Sequence, residues 1–164
     1  MITIKETLSP QQDERTAALA DEIWNECYAS LLSTAQIRYM VDRFQSAAAI
    51  GASRREGARV FWLALDDEPV GYFIVKSGEK PGKLFLSKLY LRRAQRGKGF
   101  ARLMMNRVKE LARETGCTAV WLTVNKRNPA VAVYKKMGFS IVDSVVTDIG
   151  EGYVMDDYIM EAAV

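Results

Sequence analysis

The sequence contains no histidine, and this absence narrows the chemistry that the chain can perform. Ser-His-Asp hydrolases and Cys-His proteases need an imidazole as their base, and many metal sites use imidazole ligands. These classes are excluded, and we expect no metal cofactor. Proton transfer must then rely on carboxylates, Tyr, Lys, Ser, Cys, backbone amides or water.

Cysteine and long apolar runs are also scarce. Cys27 and Cys117 lie far apart, and no CxxC or Cys/His cluster exists. We therefore expect two buried free thiols in a reducing compartment. No apolar run approaches the roughly 18–20 residues of a membrane span. The start, MITIKETLSP, lacks the apolar core of a signal peptide, so a cytoplasmic protein without membrane contact is expected.

The remaining composition is that of an ordinary globular protein, with 49% hydrophobic and 26% charged residues. A chain of 164 residues without repeats or linkers fits one domain, so we expect residues 1–164 to form a single domain. The net charge of +3 is small, and basic residues are interleaved with acidic ones. This pattern argues against a nucleic-acid partner.

Hydrophobic periodicity and turn residues predict an α/β fold with the order β-α-α-β-β-β-α-β-α-β-β. The sheet is expected to be mixed and mostly antiparallel, with about six or seven strands and about four helices. Ser9 and Ser33 are predicted to cap the first two helices, and the segment QSAAAIGASRREGA fits either an extension of the second helix or a loop. The later elements are predicted at 59–65, 69–76, 83–91, 97–115, 118–124, 128–138, 139–147 and 152–160, with a loop at 77–82.

The most distinctive motif is Arg96-Gly97-Lys98-Gly99-Phe100-Ala101, between a predicted strand and a predicted helix. The first amides of a helix lack partners within it, and the helix dipole places partial positive charge there. Glycines allow a ligand to approach the backbone closely, so the motif suits a pyrophosphate. It is neither a Walker A loop nor a G-x-G-x-x-G fingerprint, because Arg102 replaces the third Gly or Ala. By itself it indicates either an anion site or an ordinary loop.

In its context, the pattern R-x-x-G-x-A after the strand LFLSKLYL resembles the pyrophosphate motif of the GNAT superfamily, the Gcn5-related N-acetyltransferases. A second block follows, with Asn128-Pro129-Ala130, Tyr134 and Lys136-Met137-Gly138-Phe139, and it resembles the second CoA block of the family. The resemblance extends from about Arg59 to the C-terminus. It implies a GNAT-like fold with splayed central strands, and weaker similarity points to the spermidine/spermine-type branch.

The resemblance implies that acetyl-CoA is the acyl donor and that the pantetheine arm meets backbone groups of the strand before the motif. Tyr134 would be the general acid toward the departing thiolate, and a phenol with a pKa of about 10 is protonated at pH 7. The residues that the resemblance assigns to CoA also fit purely structural roles, namely the core of a strand, a solvated helix position, a helix N-cap and an aromatic ring packed on the sheet. The implied CoA-binding residues are Leu89, Tyr90, Leu91, Arg96, Gly97, Lys98, Gly99, Phe100, Ala101, Arg102, Asn128 and Tyr134.

The implied reaction is direct attack of a primary amine, from a small molecule or a peptide, on the thioester in a ternary complex. The amine must lose a proton, and without histidine the base is a carboxylate or a water chain leading to one. Adjacent strand residues point to opposite faces, so only one of Asp156 and Asp157 points inward, and we expect Asp156. An acyl-enzyme on cysteine is rejected, because no histidine activates a thiol. The carboxylates considered are Glu22, Glu26, Glu151, Asp156 and Asp157, each of which also fits a solvated surface position.

The acceptor is expected to contact the first two helices and the final hairpin. Trp24 and Tyr28 are the main candidates for substrate binding, although an aromatic stripe at helical spacing also fits a core. Two other functions compete: a non-catalytic acyl-CoA-binding or regulatory domain, and a nucleotide-binding domain. An edge strand of the sheet also allows a homodimer.

Overall fold

The structure, a computed structural model, describes all residues from Met1 to Val164. Seven strands form one sheet with the order β1-β2-β3-β4-β5-β7-β6. The ladder between β4 and β5 is parallel, whereas β1 with β2, β2 with β3, β5 with β7 and β6 with β7 are antiparallel. The predicted α/β fold with a mostly antiparallel sheet is confirmed. The elements are β1 (Ile2–Thr7), α1 (Pro10–Tyr28), α2 (Thr34–Phe44), α3 (Ala47–Arg55), β2 (Arg59–Leu65), β3 (Glu68–Lys80), β4 (Lys83–Leu91), α4 (Phe100–Glu114), β5 (Ala119–Asn125), α5 (Ala130–Lys136), β6 (Ser140–Gly150) and β7 (Tyr153–Ala163).

The chain divides into two compact units. The first consists of Met1–Lys76 and Lys88–Met104, and the second of Ser77–Ser87 and Met105–Val164. The prediction that residues 1–164 form a single domain stays a prediction. None of the helices combines the length and the apolar character that crossing a membrane requires.

Serine caps define the helices of the first unit. Ser9 begins α1 in a capping box with Gln12, and Ser33 accepts a hydrogen bond from the Gln36 amide at the start of α2. The segment that fitted either a helix extension or a loop forms a separate helix, α3, because Ser46 accepts a hydrogen bond from the Ala49 amide. Each cap satisfies an amide that lacks a helical partner.

A buried ion pair joins α1 to α3. The Arg54 guanidinium donates to both carboxylate oxygens of Asp13, at 2.8 and 2.6 Å. The Asp13 side chain is only 5% exposed. Gly51 allows this approach, since a Cβ atom at that position would lie 3.2 Å from the Asp13 carboxylate.

In the second unit, β5 lies between β4 and β7 and presents alternate side chains to the core. Val120, Leu122 and Val124 are buried, together with Met105, Val108 and Leu111 of α4. One prediction is wrong: the loop expected at 77–82 belongs mostly to β3, which continues to Lys80. Only Pro81 and Gly82 turn the chain, with Gly82 at a φ of 71°. Turn-forming residues such as Gly78 are tolerated within this long hairpin.

The Asp13–Arg54 pair makes a direct prediction for stability. Replacing Arg54 by Met leaves the Asp13 carboxylate buried without its cation, so Arg54→Met is expected to lower the free energy of unfolding by about 3 kcal/mol. Chemical denaturation measures the change. Arg55→Met, at the exposed neighbouring arginine, is the matched control and should change stability by less than ~0.5 kcal/mol. Equal effects of the two variants would contradict the role of the pair.

Candidate functional site

The glycine turn, residues 96–102, connects β4 to α4 through a short 3-10 helix at Arg93–Gln95. Gly97 and Gly99 have φ angles of 76° and 83°, a left-handed backbone that favours glycine. A Cβ atom at either position would meet nothing within 4 Å, so the backbone conformation and not lack of space requires glycine. The predicted helix start at Gly97 is therefore three residues too early.

Three backbone amides at the start of α4 are left without helical partners. The first helical hydrogen bond runs from the Leu103 amide to the Gly99 carbonyl, at 3.1 Å. The amides of Phe100, Ala101 and Arg102 come before it and lie at the positive end of the helix dipole. This arrangement can bind an anion through the backbone.

Arg96 is fixed at the base of the glycine turn. Its Nε donates to the Leu91 carbonyl at 3.2 Å, and its Nη2 donates to Cys27 Sγ at 2.9 Å. Burial raises the pKa of the Cys27 thiol, and Arg96 only partly opposes this. Cys27 therefore remains a protonated thiol near neutral pH and is a poor nucleophile. Both cysteines are half-buried, which corrects the expectation of buried thiols.

Two arginines at the end of β4 engage carboxylates of α1. Arg92 Nε donates to Glu22 at 2.7 Å, and this hydrogen bond raises the pKa of the Arg92 guanidinium. The Arg93 amide donates to the Glu26 carboxylate at 3.0 Å. The carboxylates of Glu22 and Glu26 are therefore both hydrogen-bonded to the segment that follows β4.

The backbone of β4 near Tyr90 is held close to β3. The Arg92 amide donates to the Val70 carbonyl at 2.9 Å. A Cβ atom added at Gly71 would lie 2.8 Å from the Tyr90 carbonyl oxygen and 3.0 Å from Leu91 Cδ1. Gly71 is thus required for this approach, although nothing in the sequence singles it out.

Trp24 and Tyr28 form an aromatic cluster in the first unit. They are 5% and 7% exposed, and their ring centroids are 4.6 Å apart. Tyr90 packs against Trp24 at 5.6 Å, and its hydroxyl lies 3.4 Å from that of Tyr28. The two predicted acceptor-binding residues therefore serve the core, and their contact with an acceptor stays a prediction.

The parallel ladder between β4 and β5 is short. It joins Lys83, Leu84 and Phe85 to Ala119, Val120 and Trp121, although β4 continues to Leu91 and β5 to Asn125. The predicted separation of the central strands agrees with a ladder that stops after three residue pairs.

In the second unit, Asn128 and Tyr134 belong to the segment that follows β5. Asn128 Oδ1 accepts a hydrogen bond from the Ala130 amide at 2.8 Å, but Pro129 is the N-cap of α5, so the expectation that Asn128 is the N-cap is wrong. The half-buried Tyr134 ring packs on Phe139, with centroids 5.8 Å apart. Gly138, with a φ of 95°, ends α5 and returns the chain so that Phe139 meets this ring.

The paired aspartates of β7 are oriented opposite to expectation. Asp156 has a side chain that is 54% exposed, and its carboxylate lies 3.0 Å from Lys126 Nζ. Asp157 is the inward residue and is 5% exposed. Burial, and then the charge of Asp156, raise the pKa of Asp157 to about 6, while Lys126 opposes the shift. The expectation that Asp156 points inward is wrong, because the register of β7 places Asp157 opposite Asn125 of β5 and Val145 of β6.

The remaining candidate base, Glu151, is not buried. Glu151 is exposed in the turn between β6 and β7, with a φ of 56°. Among the described residues, 1–164, no group of three or more Cys, Asp or Glu side chains is gathered as a metal site.

The chain belongs to the acetyltransferase (GNAT) family, whose pattern it matches over residues 17–139. It is 32% identical over 79 residues to streptothricin acetyltransferase of Streptomyces lavendulae, covering 48% of this chain and 42% of that protein. An uncharacterized N-acetyltransferase of Mycobacterium bovis is 35% identical over 96 residues, 58% of this chain and 60% of that protein. The chain thus spans less than two thirds of the length of each of these relatives.

The fold is similar to that of solved acetyltransferases. A crystal structure of PaiA N-acetyltransferase from Thermoplasma acidophilum, in complex with coenzyme A, matches with a TM-score of 0.83 and 22% identity, covering 100% of this chain and 99% of that chain. The predicted family is confirmed by these comparisons, whereas the spermidine/spermine-type branch stays a prediction.

The raised pKa of Asp157 makes stability depend on pH. An aspartate with a pKa of about 6 in the folded state, against an ordinary 3.8, holds its proton more tightly when folded. Its contribution is fully favourable below pH ~4 and is lost as pH rises through about 6. Asp157→Asn is therefore expected to raise the free energy of unfolding at pH 7.5 by roughly 2 kcal/mol.

Denaturation at a series of pH values measures this effect. The gain of Asp157→Asn should shrink toward zero as pH approaches 4. Asp143→Asn, which changes an exposed aspartate of the adjacent strand β6, is the control and should show no such trend. If Asp157→Asn instead lowers the free energy of unfolding at pH 7.5, the ionised Asp157 carboxylate does not destabilise the folded state and the prediction is wrong.

Proposed function

We propose that this protein is an acetyl-CoA-dependent N-acetyltransferase that moves the acetyl group to a primary amine of a small molecule or peptide. The observation that supports the proposal is the glycine turn, where three backbone amides at the start of α4 lack helical partners and Arg96 is held by hydrogen bonds. This turn lies in a chain that belongs to the GNAT family. A diphosphate supplies the negative charge that these groups attract. The proposal applies to residues 1–164 as a single N-acetyltransferase domain.

The donor is proposed to bind through backbone groups more than through side chains. The amides of Phe100, Ala101 and Arg102 and the backbone of Gly97, Lys98 and Gly99 hold the diphosphate, while Arg96 adds charge. Leu89, Tyr90 and Leu91 offer their backbone to the pantetheine arm, and the close contact at Gly71 holds that backbone in place. Asn128 is assigned a further hydrogen bond to CoA through its side-chain amide.

The proposed reaction is a direct transfer. The neutral amine nitrogen attacks the thioester carbonyl carbon, and a tetrahedral oxyanion forms, stabilised by a backbone N–H such as that of Leu89. The C–S bond then breaks, the thiolate takes a proton from the Tyr134 hydroxyl, and the amine proton passes to a base. Holding both substrates in line supplies much of the acceleration. A cysteine acyl-enzyme is not proposed, because Cys27 stays a protonated thiol bonded to Arg96.

The acceptor is proposed to be a small amine or a peptide, and the relatives suggest where to begin. One similar protein is named for streptothricin. A thiol-release assay should therefore cover streptothricin, polyamines, aminoglycosides, amino acids and N-terminal peptides. A cytoplasmic location, the absence of nucleic-acid, membrane and metal partners, and a homodimer remain predictions.

Binding of acetyl-CoA tests the first part of the proposal. Calorimetry should show binding by the wild-type protein, and Gly99→Ala should weaken it at least tenfold, because alanine disfavours a φ of 83° and the amides would be displaced. Gly57→Ala, at a φ of 102° with nothing within 4 Å, carries the same backbone strain outside the turn and should bind normally. If the wild-type protein does not bind acetyl-CoA at millimolar concentration, the proposal is wrong.

The role of Tyr134 is tested by turnover. Removing the proton donor in Tyr134→Phe should lower kcat on the order of 100-fold while the affinity for acetyl-CoA changes little. Tyr158→Phe, another half-buried tyrosine in the second unit, is the control and should keep its kcat. Unchanged turnover in Tyr134→Phe would remove the assigned role, and binding without transfer to any amine would favour the non-catalytic alternative.

A further inference from the structure

One buried carboxylate in the second unit has no partner. Five polar or charged residues of the chain are buried: Thr7, Asp13, Thr16, Gln45 and Asp157. The first four are hydrogen-bonded to Val60, Arg54, Gln12 and Tyr72, respectively. The Asp157 side chain makes no hydrogen bond and no ion pair, and the charges that act on it are those of Asp156 and Lys126. Since a buried, unpaired charge is costly, its presence calls for a ligand that carries the opposite charge.

The neighbours of Asp157 leave its charge uncompensated. Asn125 lies across from it on β5, but its Oδ1 already accepts a hydrogen bond from the Arg127 amide. Val145 lies across on β6 and is aliphatic. The nearby charged groups are Lys126 and Asp156, and the Lys126 ammonium is paired with Asp156 at 3.0 Å. A cation supplied from outside the chain would therefore be the direct partner of Asp157.

We propose that Asp157 binds the ammonium group of the acceptor and takes its proton when the amine becomes the nucleophile. This inference rests on the proposed function and identifies its acceptor as a cationic primary amine. The N–H bond of the ammonium breaks, its electron pair stays on nitrogen, and the proton forms the Asp157 carboxylic acid. The carboxyl releases the proton to solvent after the product has left.

The electrostatics of the position suit this role. An alkyl ammonium has a pKa of about 10, which is far above that of an ordinary carboxylate. The raised pKa of Asp157, about 6, narrows this gap while leaving the group mostly ionised at pH 7.5. Asp156, in contrast, is exposed and paired with Lys126. The burial of Asp157 also strengthens its attraction for a cation.

The kinetic test uses the full chain with acetyl-CoA and the best cationic acceptor of the thiol-release assay. Asp157→Asn keeps the side-chain shape and removes the charge, so kcat/KM for that acceptor should fall at least 100-fold. The wild-type decline of kcat/KM below pH 6 should disappear from the residual activity of the variant. Affinity for acetyl-CoA should stay within twofold. Asp143→Asn, with its exposed carboxylate on β6, should behave as wild type in every measurement.

A second test needs no turnover. Carbon-13 NMR of the aspartate carboxyls should show one wild-type resonance that titrates near pH 6 and is missing from Asp157→Asn. Adding n-butylamine without acetyl-CoA should lower that midpoint by at least half a pH unit, because an ammonium favours the ionised carboxylate. An unmoved midpoint overturns the binding role, whatever the activity.

The outcomes separate this inference from the function on which it rests. If the wild type transfers acetyl groups and Asp157→Asn keeps kcat/KM within threefold, the role of Asp157 is wrong and the proposed function stands. If the wild type does not bind acetyl-CoA, the proposed function is wrong, and the NMR titration still decides whether Asp157 binds amines. If n-butylamine lowers the wild-type midpoint but Asp157→Asn keeps its kcat/KM, the role of Asp157 as the base is overturned.

Discussion

A helix cannot satisfy its own first amides, and the architecture around α4 follows from that constraint. Three amides precede the hydrogen bond from Leu103 to Gly99, and the left-handed backbone at Gly97 and Gly99 keeps them exposed in place of folding them into another turn of helix. Arg96, tied to Leu91 and Cys27, keeps the entry to the turn fixed. Most helices hide these donors behind a serine or an aspartate. Here α1, α2 and α3 carry such caps, whereas α4 leaves its donors available to a ligand.

The two buried aspartates show how differently one residue type can be used. Asp13 receives two hydrogen bonds from Arg54 and connects two helices, so its charge is compensated inside the protein. Asp157 has no such partner, and its burial works against folding at neutral pH. The proposed role of Asp157 would explain why a carboxylate occupies a position where its charge is predicted to destabilise the fold.

Much of the fold could be predicted because turn residues and periodicity agree with each other locally. The bounds of β2 and β4 match the prediction, since Gly57, the aspartates at 66 and 67 and the 3-10 helix mark their ends. The length of the β3–β4 hairpin could not be predicted, because Gly78 and Pro81 are residues typical of a loop. The glycine turn could be predicted because its proposed function lies in the backbone conformation, which the spacing of the glycines indicates directly.

Other parts of the candidate site depend on register and packing, which no local pattern encodes. Whether Asp156 or Asp157 points inward is decided by how β7 pairs with β5, and a shift of one residue reverses the answer. Trp24 and Tyr28 form one aromatic stripe on α1, but only the packing of Tyr90 shows that this stripe belongs to the core.

The close contact at Gly71 has a consequence for how this sequence is free to change. The residues at 89 to 91 are proposed to bind their ligand through the backbone, so their side chains can be substituted as long as the packing is kept. Gly71 touches no proposed ligand, yet any Cβ atom there would collide with the Tyr90 carbonyl oxygen. Position 71 is thus constrained by its contact with the backbone of β4, even though no ligand contact is assigned to it.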